Sequence, residues 1–255
     1  MSDLFSVEGK TAVVTGGSRG IGLMIASAFV EAGAKVYISS RKAEVCDQVA
    51  EELSQKGECI SAPADLSSME GVSALSEAVS RTEGKLDILV NNAGAAWGAP
   101  IDEFPESGWD KVMNLNVKGV FFLTQALLPL LRKSGSADDP ARVINIGSID
   151  GLRVPILQNY VYSASKAAVH MLTRHLAHHL VDDHVTVNAI APGPFPSQMT
   201  KFMFEMGEDV VAQNVPLGRA GRPDDVAGAA LYLSSRAGSY LTGAIIPVDG
   251  GIATR

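Results

Sequence analysis

Tyr162 and Lys166 stand four residues apart in Tyr162-Ser163-Ala164-Ser165-Lys166, a spacing that puts both on one face of a helix. A free phenol titrates at about pH 10, too high to exchange protons readily at neutrality. An ammonium a few ångströms away favours the phenolate and brings the group toward a working range. Chance produces such pairs often, and Tyr160 competes for the same role, so the pair gains weight only from its company. A second candidate is the run Thr15-Gly16-Gly17-Ser18-Arg19-Gly20-Ile21-Gly22, which follows a β-branched stretch and leads into a helical pattern. Glycines there let the backbone turn sharply and approach a ligand, while free N–H groups at the helix start favour an anion. The spacing of Gly16, Gly20 and Gly22 differs from the G-x-G-x-x-G of many dinucleotide sites. No Gly-Lys-Ser/Thr end marks a nucleoside triphosphate loop either. An ordinary strand-to-helix turn could carry the same glycines; the strand–loop–helix context leans toward a dinucleotide.

The end of the next β-branched run bears on which dinucleotide. A carboxylate there would hydrogen-bond the adenosine ribose of NAD and repel a 2′-phosphate. The chain instead reads Ser39-Ser40-Arg41-Lys42. Ser40 and Arg41, with Arg19 from the glycine loop, can surround a dianionic phosphate through charge-assisted bonds. Arg41 and Lys42 could also be a solvated turn, but the loop upstream favours NADP(H).

Positioning these residues requires a sheet. Short apolar runs at 10–15, 35–39, 58–62, 86–90, 143–146, 185–190 and 244–248 read as strands. Helical stripes separate them: one through Ile25 and Phe29, one through Val45, Val49 and Leu53, and one through Val72, Leu75 and Val79 capped by Ser67. A long helix is expected over 107–132, another over 163–181, and a last one with Pro223 in its first turn. Continuous apolar strands alternating with helices imply parallel pairing with both sheet faces covered. The expectation is therefore one α/β domain over 1–255, a doubly wound Rossmann-like parallel sheet of about seven strands with helices on both faces. Hydrophobic residues at 46% against 19% charged are enough for a sizeable core and too uncharged for a disordered chain. The net charge of −7, with no basic run, argues against nucleic acid. No apolar stretch approaches the roughly 18 residues of a membrane span. The N-terminus lacks a secretory pattern, and Cys46 and Cys59 form neither a disulfide framework nor metal-ligand spacing, so the cytoplasm is expected.

Taken together, the motifs resemble the short-chain dehydrogenase/reductase family along essentially the whole chain. The matching features, in the family's order, are Thr15-Gly16-x3-Gly20-Ile21-Gly22, Asp65-Leu66, Asn91-Asn92-Ala93-Gly94, Asn116, Ser148, Tyr162-x3-Lys166, Pro192-Gly193 and Asp249-Gly250-Gly251. The resemblance implies that Tyr162 protonates a substrate carbonyl as hydride arrives from the nicotinamide. It implies that Lys166 lowers the tyrosine pKa and holds the nicotinamide ribose, and that Ser148 polarises the carbonyl. Asn116 would hold a water relaying protons to Lys166. Asp65 and Leu66 would bracket the adenine, and Asn92, Ala93 and Gly94 would flank the cofactor. Gly16, Ser18, Arg19, Gly20, Ile21 and Gly22 would cradle its phosphates, with Pro192 and Gly193 beside them. Two departures stand out. Ser148 and Tyr162 are fourteen apart where many members have thirteen, and Ser197 replaces the usual threonine for the carboxamide.

Segments 95–101, 149–159 and 195–206 are expected to wall the substrate pocket, with a small lid around 194–215. They supply Trp97, Ile101, Leu152, Val154, Ile156, Leu157, Phe195, Met199, Phe202, Met203, Phe204 and Met206. Such a lining suits an apolar, elongated substrate, though many of these side chains could instead pack under the lid or at a subunit contact. Within the family the chain is most similar to 3-oxoacyl reductases, including the branch linked to rhamnolipid precursors. Members that dock acyl carrier protein carry basic residues near the end of the Tyr/Lys helix, where this chain has Asp182 and Asp183. Like charges slow association, which favours a coenzyme A thioester or a small hydrophobic ketone. A secondary-alcohol (polyol or steroid) dehydrogenase and a catalytically inactive nucleotide-binding regulator are the other readings. Relatives form dimers or tetramers, so a homo-oligomer is expected. His175, His178 and His179 could hold a metal, but a solvated helix face is the plainer reading and no metal is expected.

Overall fold

Strands apolar at every position need cover on both faces. In the computed structural model, which describes residues 2–205 and 207–254, seven such strands form one sheet. They are β1 (Thr11–Thr15), β2 (Lys35–Ser39), β3 (Cys59–Ser61), β4 (Ile88–Asn91), β5 (Ala141–Ile146), β6 (Val185–Pro192) and β7 (Ile245–Val248). The order is β3-β2-β1-β4-β5-β6-β7, and every neighbouring pair is parallel.

Successive strand residues point to opposite faces, so each strand feeds two cores. Ala12, Val14, Ile38, Val90 and Ile144 meet Ile25 and Phe29 of α1 (Gly20–Glu31), with Val226 and Ala230 of the C-terminal helix Pro223–Ser234. Cys46, Ala50 and Leu53 of α2 (Ala43–Ser54) join the same layer. Val13, Tyr37, Leu89 and Val143 point the other way, onto Val72, Leu75 and Val79 of α3 (Met69–Thr82). Leu123, Leu127 and Leu131 of the helix Val120–Ser134 complete that second core. Each fully buried aliphatic side chain contributes on the order of 1.5–3 kcal/mol, so two such layers hold the sheet rigid beneath its loops.

Three expectations change in detail. The long helix is interrupted: α4 (Glu106–Met113) passes through a π-helical turn, Asn114–Gly119, before α5 (Val120–Ser134). An extra residue per turn re-aims side chains, and Asn116 sits inside it. The Tyr/Lys helix, α6, covers Tyr160–His179, which puts Tyr162 inside its first turn. Asp182 and Asp183 fall in a separate 3-10 turn beyond it. Ser68, not Ser67, caps α3: its hydroxyl accepts the Gly71 N–H at 3.1 Å, while Ser67 turns back to the Asp65 carboxylate.

After β6 the chain forms two short helices, α7 (Lys201–Glu205) and α8 (Glu208–Gln213), then α9 (Pro223–Ser234). From β1 it first moves outward to β3, then returns to β4 on the other side. The carboxyl ends of β1 and β4 thus flank a crevice where the order reverses, the place where open α/β sheets bind ligands. Among the described residues, no helix is long and apolar enough to cross a membrane.

Candidate active site

At the end of β1 the backbone turns at Gly16, whose φ of +65° disfavours a side chain. A Cβ on Gly22 would lie 2.3 Å from the Gly16 carbonyl oxygen, so α1 starts as close to the strand as only glycine permits. The Thr15 hydroxyl accepts the N–H groups of Asn92 and Ala93, both at 2.9 Å, and Asn92 Nδ2 donates to the Thr15 carbonyl at 2.8 Å. Asn92 thereby locks the ends of β1 and β4 together. Arg19 sits at the N-cap of α1 with no capping bond, and its exposed side chain borders the cleft with Ser40 and Arg41. Burial opposes ionisation of Asp65, but hydrogen bonds from Ser67 and the Arg41 charge outweigh it and hold the carboxyl below its usual range.

The second cluster lies over the ends of β4 and β5. Lys166, one turn into α6 and buried, donates from Nζ to the Ile146 carbonyl at 2.7 Å, with Nζ 5.6 Å from the centre of the Tyr162 ring. Burial penalises its ammonium and lowers its pKa to about 8. Tyr162 does not show the expected lowering. Burial pushes its phenol up to about 12, a hydrogen bond with Ser148 pulls the other way, and the Asp150 charge pushes further up. The phenol is therefore fully protonated at neutral pH. The Ser148 hydroxyl also accepts the Asp150 N–H at 3.1 Å, which aims it from the end of β5.

Asn116 is buried and its amide is engaged: Oδ1 accepts the Ala95 N–H at 2.8 Å, and Nδ2 donates to the Ala95 carbonyl and the Ser165 hydroxyl, both at 2.9 Å. The second lone pair of Oδ1 is what this side chain has left for a relay water. A Cβ built on Gly94 would lie 3.4 Å from Asn116 Oδ1 and 3.7 Å from Lys166 Nζ, so Gly94 leaves open the space that both side chains border.

Both clusters open into one cleft of about 1250 Å³. Gly16, Ser18, Arg19, Gly20, Ile21, Ser40 and Arg41 line one end; Leu66, Ala93, Gly94 and Asn92 its floor. Ser148, Tyr162, Lys166, Pro192 and Gly193 also line the cleft, as does Ser197, whose Cβ lies 3.3 Å from a Cβ built on Gly20. Gly22, Asp65 and Asn116 do not reach the wall and act from behind it. Asp65 is exposed, and Ser67 occupies only its Oδ1, which braces the turn before α3. Of the expected apolar wall, Trp97, Ile156, Leu157, Phe195, Met199 and Phe202 line the cleft, whereas Ile101, Leu152, Val154 and Phe204 do not. Met206 and the side chain of Met203 lie outside the described residues. Asp150 and Arg153, which no motif singled out, stand on the wall beside Ser148. Their signal was positional: both fall in the lengthened stretch between the serine and the tyrosine. His175 and His178 each pack a ring against His179, at 4.9 and 5.0 Å, and no group of three metal-ligating side chains occurs among the described residues.

Residues 16–253 match the family model described as enoyl-(acyl carrier protein) reductase. The chain is 52% identical over 253 residues to the rhamnolipids biosynthesis 3-oxoacyl-(acyl-carrier-protein) reductase of Pseudomonas aeruginosa, covering 98% of this chain and 99% of that one. A solved Pseudomonas aeruginosa RhlG/NADP active-site complex superimposes with a TM-score of 0.96 at 51% identity, over 99% of this chain and 100% of that chain. The 5-keto-D-gluconate 5-reductase of Escherichia coli K12 is 37% identical over 260 residues, covering 99% of this chain and 98% of that one. The chain belongs to the short-chain dehydrogenase/reductase family, and is an oxidoreductase.

Proposed function

We propose that this chain reduces a ketone with NADPH, its substrate being a 3-oxoacyl thioester or a similar hydrophobic ketone. One observation carries the reading: a hydrogen-bonded Ser148–Tyr162 pair, backed by buried Lys166, shares a cleft with a glycine cradle flanked by Arg19 and Arg41. The cradle fits a dinucleotide, because Cβ atoms at Gly16 and Gly22 would collide with Asn92 and with the loop itself. The end of β2 fits a 2′-phosphate, because Ser40, Arg41 and Lys42 line it and no carboxylate does. NADPH, when bound, supplies the hydride. The 52% identical relative is a 3-oxoacyl reductase by name, and the 0.96 TM-score neighbour is an NADP complex.

Ser148 and Tyr162 present two hydroxyls to one carbonyl oxygen, where negative charge develops as the ketone is reduced. The Tyr162 proton passes to that oxygen, and its high pKa keeps the donor form populated. Lys166, poised near neutrality, stabilises the phenolate left behind and is placed for the ribose. Asn116 positions Ala95 and Ser165 around the lysine. Trp97, Leu157, Met199 and Phe202 suit an alkyl chain better than a polyol, which sets the substrate apart from that of the ketogluconate reductase. Segment 194–215, carrying α7 and α8, acts as the lid. Arg132 pairs with Asp183 at 2.9 Å, and Asp182 has no ion pair among the described residues. This disfavours docking of an acidic carrier protein and leaves a coenzyme A thioester as the preferred thioester. Exposed Phe121 on α5 and Met171 on α6 support self-association into a dimer or tetramer, and the free thiols of Cys46 and Cys59 suit the cytoplasm.

The test is an activity panel following NADPH absorbance with 3-oxoacyl thioesters, diketones, quinones, steroids and ketogluconates. Turnover of the hydrophobic ketones is expected, and turnover of the sugar acid alone would overturn the substrate class. Arg41→Ala should weaken NADPH binding about tenfold or more and leave NADH nearly unchanged. Equal affinities for the two nucleotides in the parent would overturn the cofactor.

A further inference from the structure

Ser148 is followed by a 3-10 turn, Ile149–Gly151, and the chain leaves the cleft wall at Gly151 and Leu152 and returns to it at Arg153, whose N–H donates to the Ile149 carbonyl at 3.0 Å. Two charged side chains thus line the cleft that holds the reacting hydroxyls, and Asp150 is close enough for its charge to act on Tyr162. Asp150 gives its carboxylate to the Asn159 side-chain amide at 3.5 Å. Arg153 does something less usual: its side chain makes no hydrogen bond and no ion pair with any described residue, and its Nε is buried without an acceptor. It feels Asp150 through the field without touching it. A buried guanidinium donor left without an acceptor is costly, and such groups in a binding cleft mark where a ligand's oxygen goes.

The neighbours narrow the ligand. With Ser148 and Tyr162 holding the ketone oxygen, an unpartnered donor on the same cleft wall would meet a second acceptor of the same molecule. The Asp150 carboxylate beside it would repel a carboxylate on the substrate and leave a neutral oxygen unopposed. The apolar wall of Leu157, Met199 and Phe202 takes the remainder of an alkyl chain. Resting on the ketone-reducing function above, we propose that Arg153 is a specificity-determining residue that accepts substrate through the neutral second carbonyl of a 1,3-dicarbonyl compound, the thioester oxygen of a 3-oxoacyl thioester. Asp150 keeps Arg153 from selecting the free 3-oxo acid.

The experiment compares the parent, Arg153→Met and Arg153→Lys on three substrates of equal chain length: a 3-oxoacyl N-acetylcysteamine thioester, the matching free 3-oxo acid, and a monoketone. Arg153→Met should lower kcat/KM for the thioester by about tenfold or more, chiefly through KM, the loss of one charge-assisted hydrogen bond. The monoketone rate and NADPH affinity should change by less than about twofold, and Arg153→Lys should recover part of the thioester activity. Equal losses on thioester and monoketone, or no loss on either, would overturn the assignment. A parent that prefers the free acid would overturn the neutral-carbonyl selection. A parent active on monoketones but on no 3-oxo compound would reject this inference and leave ketone reduction standing, whereas a parent that oxidises NADPH with no ketone at all would reject the function itself.

Discussion

The proton donor and its supplier carry opposite perturbations from the same cause. Burial makes the phenolate of Tyr162 and the ammonium of Lys166 both costly, so one pKa rises to about 12 and the other falls to about 8. The lysine then becomes the group that titrates near working pH. Because the protonated form is the one that supports the phenolate, reductive kcat/KM should decline as pH rises through about 8. A pH–rate profile of the free enzyme checks this, and a basic limb starting only above about pH 10 would show Lys166 to be unperturbed. Spacing alone gave the pair but could not reveal this division of labour, since it depends on how much water each group has lost.

At the scale of elements, two irregular backbone features place the site. The close start of α1 against β1 depends on Gly22, whose missing Cβ leaves 2.3 Å to the Gly16 oxygen. Gly22→Ala should therefore push the helix away and weaken NADPH binding by about tenfold or more, read by fluorescence titration. An unchanged affinity would mean the loop adapts. The π-helical turn is the second device, and it was not legible beforehand: the apolar stripe around Leu115 and Leu123 reads as ordinary helix, and a single inserted residue leaves no mark in such a pattern. The strands were legible because each is buried on both faces and reads as a continuous apolar run. So were the glycine loop, Ser148, Tyr162 and Lys166, which occupy strand ends and the first turn of a helix. The bond from Ser67 to Asp65 and the nearby Arg41 charge were not legible, because they depend on how the loop after β3 folds back. Asp150 and Arg153 carry no motif, and a charged pair in a loop usually faces solvent, so only the fold shows that they line the cleft.

The whole molecule shares an acid sensitivity with its site. His170 is buried one turn beyond Lys166, with its ring so close to Gly147 and Gly151 that neither could carry a Cβ. Burial, reinforced by the Lys166 charge, lowers its pKa from about 6.5 to about 4. In the unfolded chain the same imidazole takes up a proton first as pH falls. Stability is thus complete above about pH 6.5 and declines toward pH 4, by about 3 kcal/mol for this group. Urea unfolding across that window should show the decline, and His170→Gln should flatten it; an identical slope in the variant would assign the sensitivity elsewhere. Carboxylates such as Asp225, held at about 2 by its Arg219 hydrogen bonds, act lower on the scale.

One fold therefore brings a nucleotide cradle and a proton donor into a single cleft, and removing only the phenolic oxygen separates binding from chemistry. Single-turnover reduction by Tyr162→Phe, measured with NADPH affinity on the same protein, is the most direct test. Reduction should slow by about 10²–10⁴-fold while NADPH binds within about twofold of the parent. A variant that keeps most of its rate would contradict the account.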